Sequence, residues 1–290
     1  MTEVAQVAEL GSRLSYEVLV SDGVPRKIDL RMPNGEEIVS SPISSTLIYG
    51  ERDAVLVDPP LTNGQIAQVA DGVARSGKRL AFVYITHGHP DHWFGTASLL
   101  ERFGDADSVV YATEGTIRQM RAQLEGKEEG FAKSFPGVPQ NTPVLAVPVP
   151  ADGFWLDGHV LRAVETGHTD TDDSTALHVP SIGLVVAGDV AYNGVHQMML
   201  EGGDGGLEAW LAGIDRIAAL NPRLVVAGHK NKNLPDDPKI LDETRQYLRD
   251  AIRILAGKPT PLEFFDEMMK LHGDRLNPGP LWYSGLGLLA

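Results

Sequence analysis

The chain contains no cysteine. Disulfides and thiolate ligands are therefore excluded, and any metal site must draw on His, Asp or Glu. Long apolar runs are missing as well, and none approaches the roughly 20 residues that a membrane-spanning helix needs. Positive charge is in deficit: 25 Lys and Arg stand against 39 Asp and Glu, a formal net charge of −14. A nucleic-acid partner calls for a basic face, so that class of function is disfavoured. Residues 1–10 have neither the basic start nor the apolar centre of a secretory signal, and the expected location is cytoplasmic. What remains is an ordinary globular composition, 42% hydrophobic and 22% charged over 290 residues. That is long enough to bury a substantial core, as one large domain or two small ones.

Against this plain background one stretch is dense in chemistry. Thr86-His87-Gly88-His89-Pro90-Asp91-His92 places four metal-capable side chains within six residues. The apolar run Ala81–Ile85 before it reads as a buried strand, and a helical pattern follows it. On a helix His87 and His89 would point to nearly opposite sides. In a turn leaving a strand they can converge, and Gly88 and Pro90 are turn residues. The pattern points to two neutral imidazoles on one metal, with Asp91 and His92 turned toward a second. Nitrogen and oxygen donors of this kind suit zinc, with manganese or iron as alternatives.

Taken in order, Leu14–Val20, Pro42–Tyr49 and Asp53–Val57 read as strands, Asn63–Gly77 as a helix, and Ala81–Ile85 as the next strand. Beyond the motif, a helix over Ala97–Phe103, a strand at Val109–Tyr111 and a helix over Ile117–Leu124 are expected. Glu125–Thr142 mixes charge, Gly and Pro with Phe131 and Phe135, which suits a lid or rim over a site as well as an ordinary packed loop. Short strands follow at Val144–Val147, Phe154–Leu156, Val160–Val164, Thr175–Val179, Leu184–Ala187 and Leu224–Val226. A helical stripe through Leu207, Trp210, Leu211, Ile214 and Ile217 precedes the last of them. The final segment, from about residue 236, is helical and is expected to cap one face.

The His-x-His-x-Asp-His signature resembles the first metal-binding motif of the metallo-β-lactamase superfamily of hydrolases. Glu165-Thr166-Gly167-His168-Thr169, Gly188-Asp189 and Gly228-His229, each just past an apparent strand, look like its later motifs. The resemblance implies an α/β fold, a four-layer αββα sandwich of two mixed sheets flanked by helices, with residues 1–290 forming one hydrolase domain. It implies two divalent ions, most simply Zn2+, with Mn2+ or Fe as alternatives. By the same carry-over His87, His89 and His168 hold one ion, Asp91, His92 and His229 hold the other, and Asp189 bridges them. Asp58, at the end of the third strand, matches an Asp that lies under the site in the family; a turn cap before Pro59-Pro60 is the other reading. His196, seven residues past Asp189, is within chain reach of the pocket, whereas His159 and His178 read as packed or surface residues.

The implied reaction is attack by a metal-bridging hydroxide, oriented by Asp91, on a small ester or lactone. Redox members of the superfamily carry Glu at the position of His89, and one class of β-lactamases needs a Cys ligand; this chain has neither. A second class lacks the bridging Asp, which is present here as Asp189. N-acyl homoserine lactonases have a Tyr three residues past that Asp, and Tyr192 matches the spacing. It would donate to the substrate carbonyl or leaving oxygen, or else pack the loop. Thr169-Asp170-Thr171-Asp172-Asp173 departs from the Pro-Gly turn common after this His. Its extra carboxylates would cap a turn or disfavour an anionic substrate. Thioester or β-lactam hydrolysis is the enzymatic alternative, and a non-catalytic metal-binding interaction protein the alternative from another class. The expected partner is a small-molecule substrate, without nucleic acid or membrane, and a homo-oligomer is compatible with the sequence.

Overall fold

Successive residues of a strand face opposite sides of its sheet, and in this chain both sides are apolar, so each sheet must be covered twice. The computed structural model describes residues 13–125 and 131–290. Its first half contains β1 (Ser15–Ser21), β2 (Ile43–Tyr49), β3 (Asp53–Val57), α1 (Asn63–Ser76), β4 (Arg79–Tyr84), α2 (Thr96–Phe103), β5 (Val109–Ala112), α3 (Glu114–Glu125) and β6 (Val147–Pro148). The strands lie side by side in chain order, antiparallel through β3 and parallel from β3 to β6. The second half adds β7 (Phe154–Leu156), β8 (His159–Gly167), β9 (Ser174–Val179), β10 (Leu184–Asn193), α4 (Gly206–Ala218), β11 (Leu224–Lys230), α5 (Ile240–Leu255), α6 (Pro261–His272) and α7 (Gly279–Leu288). Its sheet runs β11-β10-β9-β8-β7, with only β10 and β11 parallel.

Three apolar layers follow from the alternation. Leu47 and Leu56 face Ile66, Val69 and Val73 of α1 and Met120 of α3 on the outer side of the first sheet. Their neighbours Ile48, Val55 and Val57 face inward, against Leu177, Leu184, Val186 and Val226 of the second sheet. Val185 and Val225 in turn face outward onto Trp210 and Ile214 of α4 and Tyr247 and Leu248 of α5. This is the expected αββα sandwich of two mixed sheets between helices.

Two strands run further than their apolar stretches suggest. β10 continues through Gly188, Asp189 and Tyr192 to Asn193, every residue buried, and β11 continues through His229 to Lys230. The ladder between them shifts register on both sides of Gly188, which sits at φ +53°. A bulge of this kind re-aims side chains without ending the pairing. The expected strand at Val144–Val147 shrinks to Val147–Pro148.

The C-terminal helices do more than cap. α5 and α6 pack on the outer side of the second sheet, but α7 reaches back to the N-terminal segment, where the Trp282 indole donates to the Arg31 carbonyl at 2.9 Å. Residues 126–130 of the expected lid or rim lie outside the described residues; beyond them, Lys133, Ser134 and Phe135 line the main cavity. Among the described residues no helix is long and apolar enough to cross a membrane.

A buried polar link ties the sheets together where the metal-motif turn begins. The Thr175 backbone N–H and hydroxyl both donate to the Thr86 carbonyl, at 2.9 and 2.7 Å. The Thr175 oxygen in turn accepts from the Tyr84 hydroxyl at 2.9 Å. Thr175→Val keeps the shape but strands the Tyr84 hydroxyl, at a cost of about 1–3 kcal/mol for a buried unsatisfied group. Urea unfolding measures it, and adding Tyr84→Phe should recover part of the loss. Full additivity of the two substitutions would mean that the link carries no energy.

Candidate metal centre

The turn after β4 folds because each of its residues is held from behind. Pro90 opens a single turn of 3-10 helix, Pro90–His92, with His89 extended before it, and the Trp93 indole donates to the Gly88 carbonyl at 3.0 Å. Asp58, at the end of β3 and at φ +57°, accepts from the Thr86 N–H at 2.9 Å and the Thr86 hydroxyl at 2.7 Å. Its Oδ2 also meets His92 Nδ1 at 3.0 Å. Asp58 is therefore a buried support beneath the turn, not an exposed cap.

Each of four imidazoles is fixed by its outer nitrogen. His92 Nδ1 faces Asp58, His87 Nδ1 lies 3.0 Å from the Thr86 hydroxyl, and His229 Nδ1 donates to the Pro42 carbonyl at 2.8 Å. His89 uses the other nitrogen, with Nε2 at 3.2 Å from Glu201. For His87, His92 and His229 these bonds assign the proton to the outer nitrogen and leave the inner one as a lone-pair donor, whereas both nitrogens of His89 face carboxylates.

The inner nitrogens converge on carboxylates. His89 Nδ1 and His87 Nε2 lie 2.7 and 3.5 Å from Asp170 Oδ2. His92 Nε2 lies 3.4 Å from Asp189 Oδ1, and His229 Nε2 lies 3.2 Å from Asp189 Oδ2 and 3.8 Å from Asp91 Oδ2. Two groups of prospective ligands result, His87–His89–Asp170 and Asp91–His92–His229, the donor atoms of each within 4.8 Å of one another. Asp189 contacts the second group, and its charge is felt by His87 and Asp170 of the first. A third grouping, Asp58–His87–His92, is the supporting layer, whose contacts are the hydrogen bonds already described.

Acceptor facing acceptor is repulsive unless a cation lies between. Among the described residues, His87 Nε2, His92 Nε2, Asp170 Oδ2 and Asp189 Oδ1 are buried side-chain atoms with no hydrogen-bond partner. Burial would push the Asp189 carboxyl up, but His229 and His92 outweigh it and hold Asp189 well below the usual range. Burial likewise opposes protonation of His92, yet Asp189 and Asp58 pull its imidazole up to about 10. The cluster thus demands positive charge, and its donor set of imidazoles and carboxylates fits divalent metal ions.

His168 is not part of the convergence. Its Nδ1 meets Asp172 at 2.7 Å and its Nε2 donates to the Glu201 carbonyl at 3.0 Å, so both nitrogens are engaged elsewhere. Asp170, two residues on and 1% exposed, takes the position expected for it. The cause is local: the Thr169 N–H donates to the Thr171 carbonyl at 2.9 Å, and this tight turn swings Asp170 inward. Asp173 leaves the site, pairing with Arg118 at 3.4 Å. The Asp-rich departure after His168 was the available signal for Asp170. Glu201, which also accepts from the Thr171 hydroxyl at 2.8 Å, had none.

Tyr192 is fully buried, and its hydroxyl donates to Asp189 Oδ2 at 2.7 Å. Burial and the adjacent Asp189 raise the phenol well above its ordinary pKa, so it stays a donor. The glycines before two ligands are forced by close approach. A Cβ on Gly228 would sit 2.1 Å from Asp189 Oδ1, and one on Gly188 would sit 2.4 Å from the Thr86 hydroxyl. Above the cluster opens a cavity of about 880 Å³, lined by His89, Asp91, Asp170, Asp189, Tyr192 and His229 among others.

The sequence profile of the metallo-beta-lactamase superfamily matches residues 40–229. No curated protein matches the chain. Among solved structures, a metallo-beta-lactamase family protein from Thermus thermophilus is 19% identical, with a TM-score of 0.60, over 94% of this chain and 91% of that one. A metallo-beta-lactamase from Pontibacter korlensis is 16% identical, with a TM-score of 0.56, over 84% and 98%. The metallo-beta-lactamase FIM-1 from Pseudomonas aeruginosa, in its mono-zinc form, is 15% identical, with a TM-score of 0.55, over 83% and 97%. Identities this low carry the fold and not the substrate.

His196 lies away from the cavity, contrary to the expectation that it reaches the pocket. The chain turns at Gly194, φ +67°, and the His196 ring packs under α5 with Nδ1 at 2.9 Å from the Tyr247 hydroxyl. Burial, then Arg275 and His272, lower its pKa to about 4, with Asp274 opposing. The folded state therefore holds His196 neutral where the unfolded chain protonates it. Its contribution to stability is intact above pH 6.5 and is lost as the pH falls toward 4. The difference corresponds to about 3 kcal/mol. Unfolding free energies measured across that window should fall more steeply for the wild-type chain than for His196→Gln. Equal slopes would show that His196 titrates alike in both states.

Proposed function

The chain belongs to the metallo-β-lactamase superfamily of metal-dependent hydrolases, and on that premise we propose that it is a dinuclear hydrolase of small esters or lactones. The observation that carries the proposal is the convergence of four inner imidazole nitrogens with Asp91, Asp170 and Asp189 beneath an open cavity. One ion would be held by His87, His89 and Asp170, the other by Asp91, His92 and His229, with Asp189 between them. When bound, two divalent ions polarise a scissile carbonyl and lower the pKa of water toward neutrality. The residues supply the rest. Asp91, at the cavity wall, is placed to bind an ion and to orient the attacking oxygen. Asp58, Thr86, Glu201 and the Pro42 carbonyl keep the imidazoles aimed. Three carboxylates in the donor set make it harder than the expected one, which brings Mn2+ and Fe2+ into contention with Zn2+.

Tyr192 acts through Asp189 in this reading, as a positioning residue whose hydroxyl fixes one oxygen of the bridging carboxylate. Supporting hydrogen bonds of this kind are worth about 10- to 100-fold in metal affinity. Tyr192→Phe should weaken metal binding by that factor, with kcat recovering at saturating metal. A kcat loss that persisted at saturation, and grew for poor leaving groups, would put the hydroxyl on the leaving oxygen instead.

Metal analysis tests the ligand assignment directly. The purified, loaded protein should hold two ions per chain, and a panel of ester, lactone, thioester, β-lactam and phosphodiester substrates should show chelator-sensitive turnover of the first two. Asp170→Ala should retain one ion, whereas His168→Ala should retain both. The reverse result would return His168 to the ligand set.

A further inference from the structure

The same cavity holds a cation that metal chemistry does not require. Arg26 lies on the segment between β1 and β2 and lines the cavity together with Asp91 and Asp189. Its guanidinium stands over the Phe135 ring at 5.1 Å and the Tyr283 ring at 5.3 Å. Nε and Nη2 both donate to the Ser134 hydroxyl, at 3.2 and 2.7 Å. Below it, the Lys27 N–H donates to the Ser134 carbonyl, and the Arg26 N–H donates to the Ile38 carbonyl at 2.9 Å. Three remote parts of the chain, the β1–β2 segment, residues 134–135 and α7, thus converge on one side chain. A guanidinium packed on two rings and bonded to a hydroxyl is restrained in orientation, which favours fork-like recognition of a carboxylate through its remaining N–H groups.

The charge around it sharpens the point. The protein carries a formal net charge of −14, yet Arg26, Lys27 and Lys133 all line this cavity. The lining is mixed in charge, since Asp91, Asp170, Asp189 and Glu201 share it. These carboxylates face imidazoles: Asp170 and Glu201 meet His89, and Asp189 and Asp91 meet His229. Asp170 faces the inner nitrogens, Asp172 pairs with His168, and Asp173 pairs with Arg118. Much of the remaining wall is apolar, including Ile28, Ile38, Val39, Met198 and Leu200. Burial depresses the Arg26 pKa, and Tyr283 and then Asp91 work against the depression. An arginine stays protonated throughout.

We propose that Arg26 is a specificity-determining anchor for an anionic group, so that the substrate is an ester or lactone bearing a carboxylate on an apolar body. The inference rests on the hydrolase reading above and narrows its substrate class. Hydrolysis itself is unchanged: water adds across the acyl–oxygen bond, giving an acid and an alcohol from an ester or a single hydroxy acid from a lactone, while the second, unreacting carboxylate stays on Arg26.

The test compares two p-nitrophenyl esters of equal chain length, the anionic monoester of adipic acid and neutral hexanoate, on the metal-loaded protein. The adipate ester should be favoured by about tenfold or more in kcat/KM, mainly through KM, the size expected of one charge-assisted contact. Arg26→Gln should bring that ratio close to one. Arg26→Lys, which keeps the charge but loses the planar fork, should leave a smaller preference, and it serves if Arg26→Gln does not fold. A wild-type ratio near one, or a ratio untouched by both substitutions, overturns the proposal. If neither ester is hydrolysed, the hydrolase reading fails, and calorimetry still decides the anchor. Adipate should then bind the loaded wild-type protein at least several-fold more tightly than hexanoate, and the two should bind the Arg26 variant alike. Equal binding by the wild-type protein would remove the anchor.

Discussion

Three carboxylates and four imidazoles, most of them buried, converge at one place, and the rest of the structure is arranged around the need to keep them there. A charge moved from water into a protein interior costs several kcal/mol after relaxation, unless a counter-charge meets it. Asp170 and Asp189 are 1% and 3% exposed; each accepts from one hydroxyl, of Thr169 and Tyr192 respectively, and otherwise faces imidazole nitrogens. The fold supplies rigidity: Asp58, Thr86 and Pro42 sit at the ends of β3, β4 and the approach to β2, so the outer nitrogens are held by backbone and strand ends. In open sheets, ligands gather beyond the ends of the strands. Here the ends of both sheets meet at one place, and the Thr175–Thr86–Tyr84 link closes the seam between them.

The layers were legible in the sequence because they depend on local pattern. Runs such as Ala54–Val57 and Val185–Ala187 are apolar on both faces and bounded by turn residues, which is the signature of a strand covered twice. The misjudged boundaries fall where polar groups continue a strand. Gly188-Asp189 and Gly228-His229 were expected just past their strands, but both stay in the ladder, because the glycines allow the close approach that the carboxylate needs. Of the site, the compact motif from His87 to His92, together with Asp189 and His229, was readable by position. His196 was not, since seven residues of separation say nothing about the direction the chain takes after Gly194.

The exchange of His168 for Asp170 marks the limit of reading by motif. A Gly-His pair after a strand marks the right turn, but which of its side chains points inward depends on how tightly that turn closes. The Thr169–Thr171 hydrogen bond settles this in favour of Asp170, and no periodicity announces it. Glu201 and Arg26 were invisible for a different reason. Each gains its place from partners more than a hundred residues away, His89 for one and Ser134 and Tyr283 for the other.

A carboxylate in place of an imidazole, as proposed for Asp170, would also change what the centre can do. An additional anionic oxygen donor reduces the net positive charge that two divalent ions would present to the cavity, and it favours harder ions over softer ones. A less positive centre is a weaker electrostatic attractor for an anionic substrate, since the pull between opposite charges scales with both. If such a substrate is to be held, the attraction must come from elsewhere in the cavity. Arg26 is positioned for that role: it lines the same cavity as Asp91, its guanidinium stands over two aromatic rings, and its segment provides none of the prospective ligand groups among the described residues. Hydrolysis and recognition are thereby assigned to different parts of the chain. In that proposal the metal ligands would come from the strand ends and turns of the sandwich, and selectivity from the β1–β2 segment and α7.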